Sequence, residues 1–400
     1  MRESSAEAPA IWVRTKEALD GMAVHLADAS VIALDTESDS LHHFPEKVCL
    51  LQIAHPDGSV YLADPLALPD LTPLGAICAD PAIRKVLHGA SYDVASLKRD
   101  FAFRFSGLTD TMVAAQLLGL AELGLSDLLT RTFGIAACPS RQKDDWARRP
   151  LSAEQEAYAA ADVRNLIPLH ERLLDEIRIA GREAWLMEEC AALEEIPASL
   201  RVFDPDGYLS LKGARDLDGS SLSVLRALFA AREEWAHAFG RPPFRLLGAE
   251  TMLAIAREAP RTPAALLCLP GCTSKVVDRL GTRILAAVAD GLSLPASQHP
   301  VIPRRERPRM LPAVRRRVES LTAWRAVAAE RLQLDPGVLL PRRLIERLAE
   351  DAPSSPADLL LIDGIRRWRV ASLGSELLAV LNGRSAVRSE RPISVDRGTP

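Results

Sequence analysis

The chain has few cysteines, few aromatic residues and no long apolar run. Its 400 residues include six cysteines, and only 5% of its side chains are aromatic. No two cysteines form a CxxC pair, so a zinc site is not expected. The apolar stretches are short and charge-interrupted, and the N-terminal MRESSAEAPA lacks a basic start followed by an apolar core. The sequence therefore predicts neither a membrane-spanning helix nor a signal peptide, and we expect a cytoplasmic protein.

Length and hydrophobic periodicity indicate several domains. A chain of 400 residues with 48% hydrophobic side chains exceeds the usual size of a single core. Apolar runs predict four strands, at 31–36, 48–54, 59–63 and near 85–88. Helical periodicity dominates from residue 92 onward, so an α/β layer arrangement is expected. Residues 180–218 read as a connector, and we expect the first domain to end there.

Two acidic residues follow the first predicted strand at a spacing of two. Asp35 and Glu37 come after the apolar residues 31–34, and alternation along a strand directs both carboxylates to the same face. A simpler interpretation is that Asp35 ends the strand or caps the next element, as such residues often do. The spacing by itself therefore indicates only a candidate pair of metal ligands.

A second group of polar residues lies in HGASYD and in the alanine-rich AYAAAD. Asp93 ends the first motif, and Tyr158 and Asp162 are four residues apart in the second. On a helix this spacing places the phenol and the carboxylate on one face, so that both point into the same cleft. Alternatively, Tyr158 is a half-buried core residue and Asp162 is solvated. Asp110 opens a predicted helix, so we interpret it as a cap and leave it outside the metal set.

Four carboxylates and a phenol suit the hydrolysis of a phosphodiester. Two divalent cations about 3.5–4 Å apart can polarise the attacking water and stabilise the leaving oxygen. Because Mg²⁺ and Mn²⁺ prefer oxygen ligands, four carboxylates are enough to hold two such ions. The hydroxyl of Tyr158 both donates and accepts hydrogen bonds, so it can orient the water. The predicted metal ligands are Asp35, Glu37, Asp93 and Asp162.

In this order the motifs resemble those of the DEDD superfamily of 3′→5′ exonucleases, in its tyrosine-containing branch. The matching segments are DTE at 35–37, HGASYD ending at Asp93 and YAAAD at 158–162, and residues 10–190 are similar to ribonuclease D. One departure is Gly89, where many superfamily members carry asparagine. The resemblance implies a ribonuclease H-like fold, a mixed sheet flanked by helices, with the ligands at one end of the central strands. It also implies a reducing compartment, where the cysteines are free thiols.

Beyond residue 220 the chain contains an internal repeat. Residues 256–271 align without gaps to residues 349–364 at an offset of 93, with eight identical residues among sixteen. The repeat predicts two copies of one small helical module. Both copies resemble the helicase-and-ribonuclease-D C-terminal (HRDC) domain, an all-α bundle that assists nucleic-acid binding, although such bundles can also serve stability or protein contacts. We expect an exonuclease domain at 1–205, HRDC bundles at 215–295 and 310–383, and a disordered polar tail at 384–400.

Positive charge is concentrated in the last hundred residues. They contain 19 arginines, no lysine and 12 acidic residues, whereas the whole chain has a net charge of −4. Arginine suits bidentate phosphate contacts and stacking on bases, although a charge run is usually a solvated face. For His88 the alternative is a structural hydrogen bond. The candidate nucleic-acid contacts are Thr36, His88, Arg366, Arg367 and Arg369.

The resemblance implies a metal-dependent 3′→5′ exoribonuclease that releases 5′-mononucleotides. The expected partner is RNA with a free 3′ end, transfer RNA precursors being the family's typical substrate. Two alternatives stay open: a DNA exonuclease of repair, or an inactive nucleic-acid-binding scaffold. The motifs do not separate RNA from DNA, because two metals act on phosphate, whereas the 2′-hydroxyl distinguishes the sugars. Intact residues at all five predicted catalytic positions argue against the scaffold.

Overall fold

The computed structural model describes residues 8–68, 70–136, 139–302 and 310–383. The polar tail predicted at 384–400 lies outside the described residues. Within these ranges, none of the helices has the length and apolar character needed to cross a bilayer. The cysteines at 49, 78, 190, 268 and 272 are free thiols, as expected.

The first part of the chain forms a six-stranded mixed sheet. Its strands are β1 (Ile11–Val13), β2 (Val31–Ser38), β3 (Val48–Ala54), β4 (Val60–Ala63), β5 (Arg84–Leu87) and β6 (Leu108–Asp110). Their order is β1-β4-β3-β2-β5-β6, in which β3 runs antiparallel to both neighbours and the other pairs are parallel. The four predicted strands are confirmed. The edge strands β1 and β6 were not predicted, because three residues are too few to show a period of two.

Helices cover the sheet on both faces. They are α1 (Lys16–Ala27), α2 (Thr72–Ala79), α3 (Ser91–Phe101), α4 (Thr111–Leu117), α5 (Leu125–Phe133), α6 (Ala153–Arg164), α7 (Leu166–Ile179) and α8 (Glu183–Glu194). Helix α6 packs against β2, β3 and β4, and α7 packs against β2 and β5. All seven residues of β3 are buried, as expected for a central strand that is covered on both faces. The predicted mixed sheet flanked by helices is confirmed.

Two five-helix modules follow. The first contains α9 (Gly219–Phe239), α10 (Pro243–Leu246), α11 (Ala249–Glu258), α12 (Pro263–Leu267) and α13 (Ser274–Leu292). The second contains α14 (Pro312–Leu332), α15 (Pro336–Leu339), α16 (Arg342–Asp351), α17 (Pro356–Leu360) and α18 (Arg367–Leu381). Every helix of the second module begins 93 residues after its counterpart. Ala259 and Ala352, also 93 residues apart, both end a helix in the left-handed region, at φ 43° and 47°. The predicted repeat of one helical module is therefore confirmed.

Candidate metal centre

The end of β2 places two of the predicted ligands. Asp35 and Glu37 lie two residues apart on this strand, which is paired through this stretch with β3. Carboxylate oxygens of Asp35, Glu37 and Asp162 all lie within 4.8 Å of one another. The side chains that the sequence predicted on one strand and on one helix are thus brought together in the structure.

Helix α6 supplies Tyr158 and Asp162 from one face. A capping box formed by Ser152 and Gln155 fixes the start of this helix. The ring of Tyr158 is buried in an apolar cluster with Trp146, and the two ring centroids are 6.2 Å apart. Tyr158 and Asp162 lie one turn apart on this helix, so the phenol and the carboxylate share one face. Burial of the ring therefore fixes the direction in which the hydroxyl points.

Asp93 lies in the first turn of α3, beside the three converging carboxylates. The hydroxyl of Thr36 donates a hydrogen bond to Asp93. The negative charge of Asp93 raises the pKa of both Asp35 and Glu37, so its carboxylate is electrostatically part of the same cluster. Its oxygens are not among those that lie within 4.8 Å of one another. Asp93 therefore borders the group formed by the other three.

The electrostatics of this cluster suit divalent cations. Burial and the neighbouring carboxylates raise the pKa of Asp35 well above its ordinary value and that of Glu37 to about 9. Burial raises the pKa of Asp93 to about 7 and that of Asp162 to about 6. Carboxylates that repel one another in a partly dehydrated cleft are stabilised by bound cations, and all the donor atoms are oxygens, as Mg²⁺ and Mn²⁺ prefer. The residues present therefore fit such ions.

Burial, followed by the charge of Asp162, raises the pKa of Tyr158 above its ordinary value. The phenol therefore keeps its proton at neutral pH. It can donate one hydrogen bond and accept others, which is what orienting a water requires. This protonation state agrees with an orienting role and disfavours a strong base.

The segment that contains Trp146 and Arg149 packs beside Tyr158 and holds its ring in place. Arg149 donates hydrogen bonds to both carboxylate oxygens of Asp64, at 2.7 and 2.8 Å, and to the backbone carbonyl of Cys49. It also holds the carbonyl of Trp146, whose side chain is fully buried beside Tyr158. Asp144, in the same segment, adds negative charge near Glu37. Arg149 and Asp64 are 85 residues apart, so no local spacing in the sequence indicates their contact.

The loop that follows the strand of Asp35 and Glu37 is held by the first helical module. This loop, residues 39–47, places Phe44 in the module's apolar core, with its ring centroid 4.6 Å from that of His237. The backbone N–H of Phe44 donates to the carbonyl of Gly240, and Arg245 donates to a carbonyl of the loop. The loop that follows the strand of Asp35 and Glu37 thus depends on a contact between domains.

The structure gives Thr36 and His88 positioning contacts within the protein. Thr36 is only 8% exposed, and its hydroxyl is directed at Asp93. His88 is half-buried, with Nδ1 2.9 Å from the hydroxyl of Thr111. The same hydroxyl lies 3.1 Å from the carbonyl of Leu87, and the direction of its hydrogen bond with His88 depends on the histidine tautomer. The hydrogen-bonded role that the sequence offered as an alternative for His88 fits this geometry, and nucleic-acid contact by either residue stays a prediction.

The structure gives Arg366 and Arg369 contacts within the protein, and nucleic-acid binding by either residue stays a prediction. Arg369 is 6% exposed, and its guanidinium lies 2.6 Å from Glu189 while also donating to two backbone carbonyls of the second module. Arg366 pairs with the same carboxylate at 3.1 Å. Arg369 is therefore buried against a carboxylate of α8, whereas Arg366 pairs with the same carboxylate and keeps 27% of its side chain exposed. Arg367 has an exposed side chain, and its contact with nucleic acid stays a prediction.

Comparisons with known proteins identify both parts of the chain. Residues 10–178 match the family model described as 3′-5′ exonuclease, and residues 221–288 and 314–381 each match the HRDC domain. Ribonuclease D of Gluconacetobacter diazotrophicus is 34% identical, over 94% of this chain and 93% of its own. Ribonuclease D of Granulibacter bethesdensis is 32% identical, over 96% and 95%. The crystal structure of Escherichia coli RNase D is similar in fold, with a TM-score of 0.67, 24% identity, and coverage of 94% of this chain and 99% of that one.

Proposed function

The chain belongs to the ribonuclease D family, and from that premise we propose that it is a 3′→5′ exoribonuclease that releases 5′-mononucleotides from the 3′ ends of RNA. The observation that carries this proposal is the convergence of Asp35, Glu37 and Asp162 beside the hydroxyl of Tyr158. A strand and a helix from separate parts of the sequence deliver these groups to one cleft. An inactive scaffold would have no need to keep carboxylates that repel one another.

Asp35, Glu37, Asp93 and Asp162 are the proposed holders of two divalent cations, Mg²⁺ or Mn²⁺. When bound, such ions activate the water and neutralise charge on the phosphate and the leaving oxygen. Asp35 and Glu37 present two carboxylates from a rigid central strand, and Asp162 faces them from α6. Thr36 fixes the carboxylate of Asp93 by its hydrogen bond. Rigid placement of this kind keeps the negative charges in position before substrate arrives.

Tyr158 is proposed to hold the attacking water. Its phenol keeps a proton because burial raises its pKa, so the oxygen accepts from water while the proton is held by a neighbouring acceptor such as Asp162. The ring cannot swing away, since it packs in the cluster that contains Trp146. Tyr158 therefore reduces the motional freedom of the nucleophile instead of removing its proton.

The proposed substrate is RNA with a free 3′ end, and transfer RNA precursors are the proposed physiological class. The two HRDC modules, at the proposed limits 215–295 and 310–383, would bind the body of a structured RNA while its 3′ tail enters the cleft. The proposed exonuclease domain covers residues 1–205. The contact of Phe44 with the first module supports this arrangement, because it places that module beside the loop that leaves the catalytic strand.

The test is a time course on four 5′-labelled strands of one sequence: all RNA, all DNA, RNA ending in a single 3′ deoxynucleotide, and DNA ending in a single 3′ ribonucleotide. Each is incubated with Mg²⁺, with Mn²⁺ or with a chelator. We expect metal-dependent ladders that shorten one nucleotide at a time on the all-RNA strand, with 5′-mononucleotides as products. The two strands that end in the other kind of nucleotide show whether the enzyme recognises the 2′-hydroxyl of the terminal nucleotide.

Shortening of the all-DNA strand at a rate equal to or above that of RNA would contradict the RNA assignment and support a repair exonuclease. Binding of RNA without any shortening in either metal would contradict the enzyme and support a scaffold. The substrate class is tested by comparing two RNAs that carry the same 3′ tail: a precursor of transfer RNA and an unstructured RNA. The rates at which the two tails are shortened are compared. Equal rates on both would contradict a preference for structured RNA.

A further inference from the structure

A second group of ligand atoms converges at the opposite end of the sheet. Among the described residues, His25, His55 and Asp57 each offer an atom that lies within 4.8 Å of the others. His25 is in the last turn of α1, whereas His55 and Asp57 lie in the turn that joins β3 to β4. The sequence separation of 30 residues between the two histidines hides this cluster from motif analysis. It belongs to no part of the proposed catalytic site.

The carboxylate of Asp57 contacts a ring nitrogen of each histidine. One oxygen is 3.2 Å from Nε2 of His25, and the other is 2.9 Å from Nδ1 of His55. The ring centroids of the two histidines are 4.0 Å apart. Neighbouring ligands around a tetrahedral ion with bonds of about 2.0–2.1 Å are separated by roughly 3.3 Å. The two nitrogen-to-oxygen distances are therefore near the separation between neighbouring ligands of a four-coordinate ion.

Backbone contacts fix the two residues of the turn. The N–H of Ser59 donates to Asp57 at 2.8 Å, and the N–H of Asp57 donates to Nδ1 of His55 at 3.2 Å. A carboxylate oxygen of Asp57 also lies 2.9 Å from Nδ1 of His55, and a proton on that nitrogen would be donated to the carboxylate. A metal ion can replace this proton, because loss of the proton leaves the ring nitrogen free to act as a ligand beside the carboxylate.

Tyr61 orients the remaining ligand. Its hydroxyl lies 2.7 Å from Nδ1 of His25. Tyr61 is on β4, and its side chain is buried, with 8% exposed. A metal-ligating histidine usually donates its other ring N–H to an oxygen, which fixes the tautomer and directs the free nitrogen at the metal. When Nδ1 of His25 donates to Tyr61, the lone pair of Nε2 is free to bind a metal ion beside Asp57.

We propose that His25, His55 and Asp57 bind Zn²⁺ or a similar first-row divalent ion, with a water as the fourth ligand. Two imidazole nitrogens and one carboxylate are a donor set of Zn²⁺, whereas the four carboxylates of the catalytic cleft suit Mg²⁺ and Mn²⁺. The side chains of His25 and Asp57 are 34% and 48% exposed, which leaves access for the ion and for water. The absence of cysteine pairs argued against zinc in the sequence, but histidine and aspartate from two elements provide an alternative.

The position of this site indicates a stabilising role. On β3, Gln52 pairs with Asp35 of the catalytic strand, and His55 lies three residues further along. At about 3.3 Å per residue, the site is roughly 10 Å or more from the nearest catalytic carboxylate along the strand. A bound ion would fasten the end of α1 to the β3–β4 turn. It would therefore raise the stability of the exonuclease domain without entering its chemistry.

The test uses the full chain without a histidine tag, stripped with chelator and then kept in millimolar Mg²⁺ to occupy the carboxylate site. Co²⁺ is titrated as a spectroscopic substitute for Zn²⁺, and Zn²⁺ is then added in competition. We expect one Co²⁺ per chain with the strong visible bands of a four-coordinate site, displaced by one Zn²⁺. Thermal unfolding, followed with and without Zn²⁺, provides a second readout that is independent of RNA cleavage.

Four variants assign the site. His25→Ala and Asp57→Asn should lose the Co²⁺ bands and the thermal shift, and Tyr61→Phe should weaken Co²⁺ binding tenfold to a hundredfold while keeping the ligands. The control His299→Gln, which removes a half-buried histidine elsewhere, should bind as the wild type does. Circular dichroism checks that each variant is folded. Unchanged Co²⁺ bands in His25→Ala, or no four-coordinate spectrum in the wild type, would overturn the proposal.

Discussion

The indole of Trp185, on α8 of the exonuclease domain, stacks on the indole of Trp368 in the second HRDC module, with ring centroids 4.2 Å apart and planes inclined by 18°. Glu188 and Glu189, one turn further along α8, accept hydrogen bonds from residues 366–369. Stacking and charge pairing therefore hold the module against the nuclease together. The arginines that the sequence suggested as phosphate contacts take part in this contact between domains.

Replacing Glu189 should release the second module. Glu189→Ala leaves the guanidinium of Arg369, which is 6% exposed, without its carboxylate, and breaking a pair of this kind costs about 3 kcal/mol. Limited proteolysis should then cut near the junction before the second module, and small-angle scattering should show a larger radius. Glu183→Ala, on the same helix but at the surface, should leave both measurements unchanged. Equal resistance of both variants would show that the contact does not hold the domains together.

Removing a ligand carboxylate should stabilise the metal-free protein. Burial and its charged neighbours raise the pKa of Asp35 well above its ordinary value, because the charged form of Asp35 is poorly solvated and is repelled by the other carboxylates. Asp35→Asn relieves one set of repulsions, so its unfolding temperature in chelator should exceed that of the wild type. Addition of Mg²⁺ should raise the wild-type temperature and leave the variant almost unaffected. A wild type that is insensitive to Mg²⁺ in this experiment would contradict the fit of the cluster to cations.

Removing the hydroxyl of Tyr158 should slow hydrolysis without unfolding the site. In Tyr158→Phe the ring still packs in the cluster with Trp146, so the unfolding temperature should change little. The loss of an oriented water should lower the single-turnover rate roughly tenfold to a hundredfold while RNA affinity stays the same. Tyr208→Phe, in the core of the first module, serves as the matched control and should cut RNA at the wild-type rate. Full activity of Tyr158→Phe would remove the tyrosine from the mechanism.

His170 should contribute a loss of stability in mild acid, which opposes the gain that the raised pKa values of Asp93 and Asp162 contribute in the metal-free protein. Burial, with smaller contributions from Arg84 and Arg178, lowers the pKa of His170 to about 4, whereas its ordinary value is 6.5. Between pH 6.5 and 4 the imidazole of His170 is protonated in the unfolded chain but not in the folded protein. The contribution of His170 to the free energy of unfolding therefore falls by up to about 3 kcal/mol as the pH falls through this window. His170→Gln lacks this loss, so its free energy of unfolding should increase relative to that of the wild type as the pH falls from 6.5 to 4, measured by denaturant unfolding. A slope equal to that of the wild type would contradict a neutral buried His170.

Local patterns were sufficient to predict much of the fold and of the site. Asp35 and Glu37 were found because a strand alternates its faces, and Tyr158 with Asp162 because a helix turns once in about four residues. The repeat at an offset of 93 predicted the two modules because both copies retain the same turn residues around Ala259 and Ala352.

The remaining features depend on contacts between distant residues, for which a sequence carries no spacing signal. Arg149 and Asp64 are 85 residues apart, and Arg369 and Glu189 are 180 apart. An arginine-rich pattern of this kind fits either a phosphate-binding surface or a contact between domains. In the described structure Arg366 and Arg369 pair with Glu189, a contact that no spacing in the sequence indicates. The edge strands β1 and β6 owe their conformation to hydrogen bonds with β4 and β5 rather than to their own three residues.

The most direct test of the proposed catalytic centre is the single-turnover rate at which Asp162→Asn cuts a 5′-labelled RNA in saturating Mg²⁺, beside Asp175→Asn as a surface control. We expect Asp162→Asn to be folded, to bind RNA as the wild type does, and to cut on the order of a hundredfold to a thousandfold more slowly. The Asp175 variant should cut at the wild-type rate. An Asp162→Asn rate within a few-fold of wild type would contradict the assignment of this cluster as the catalytic centre.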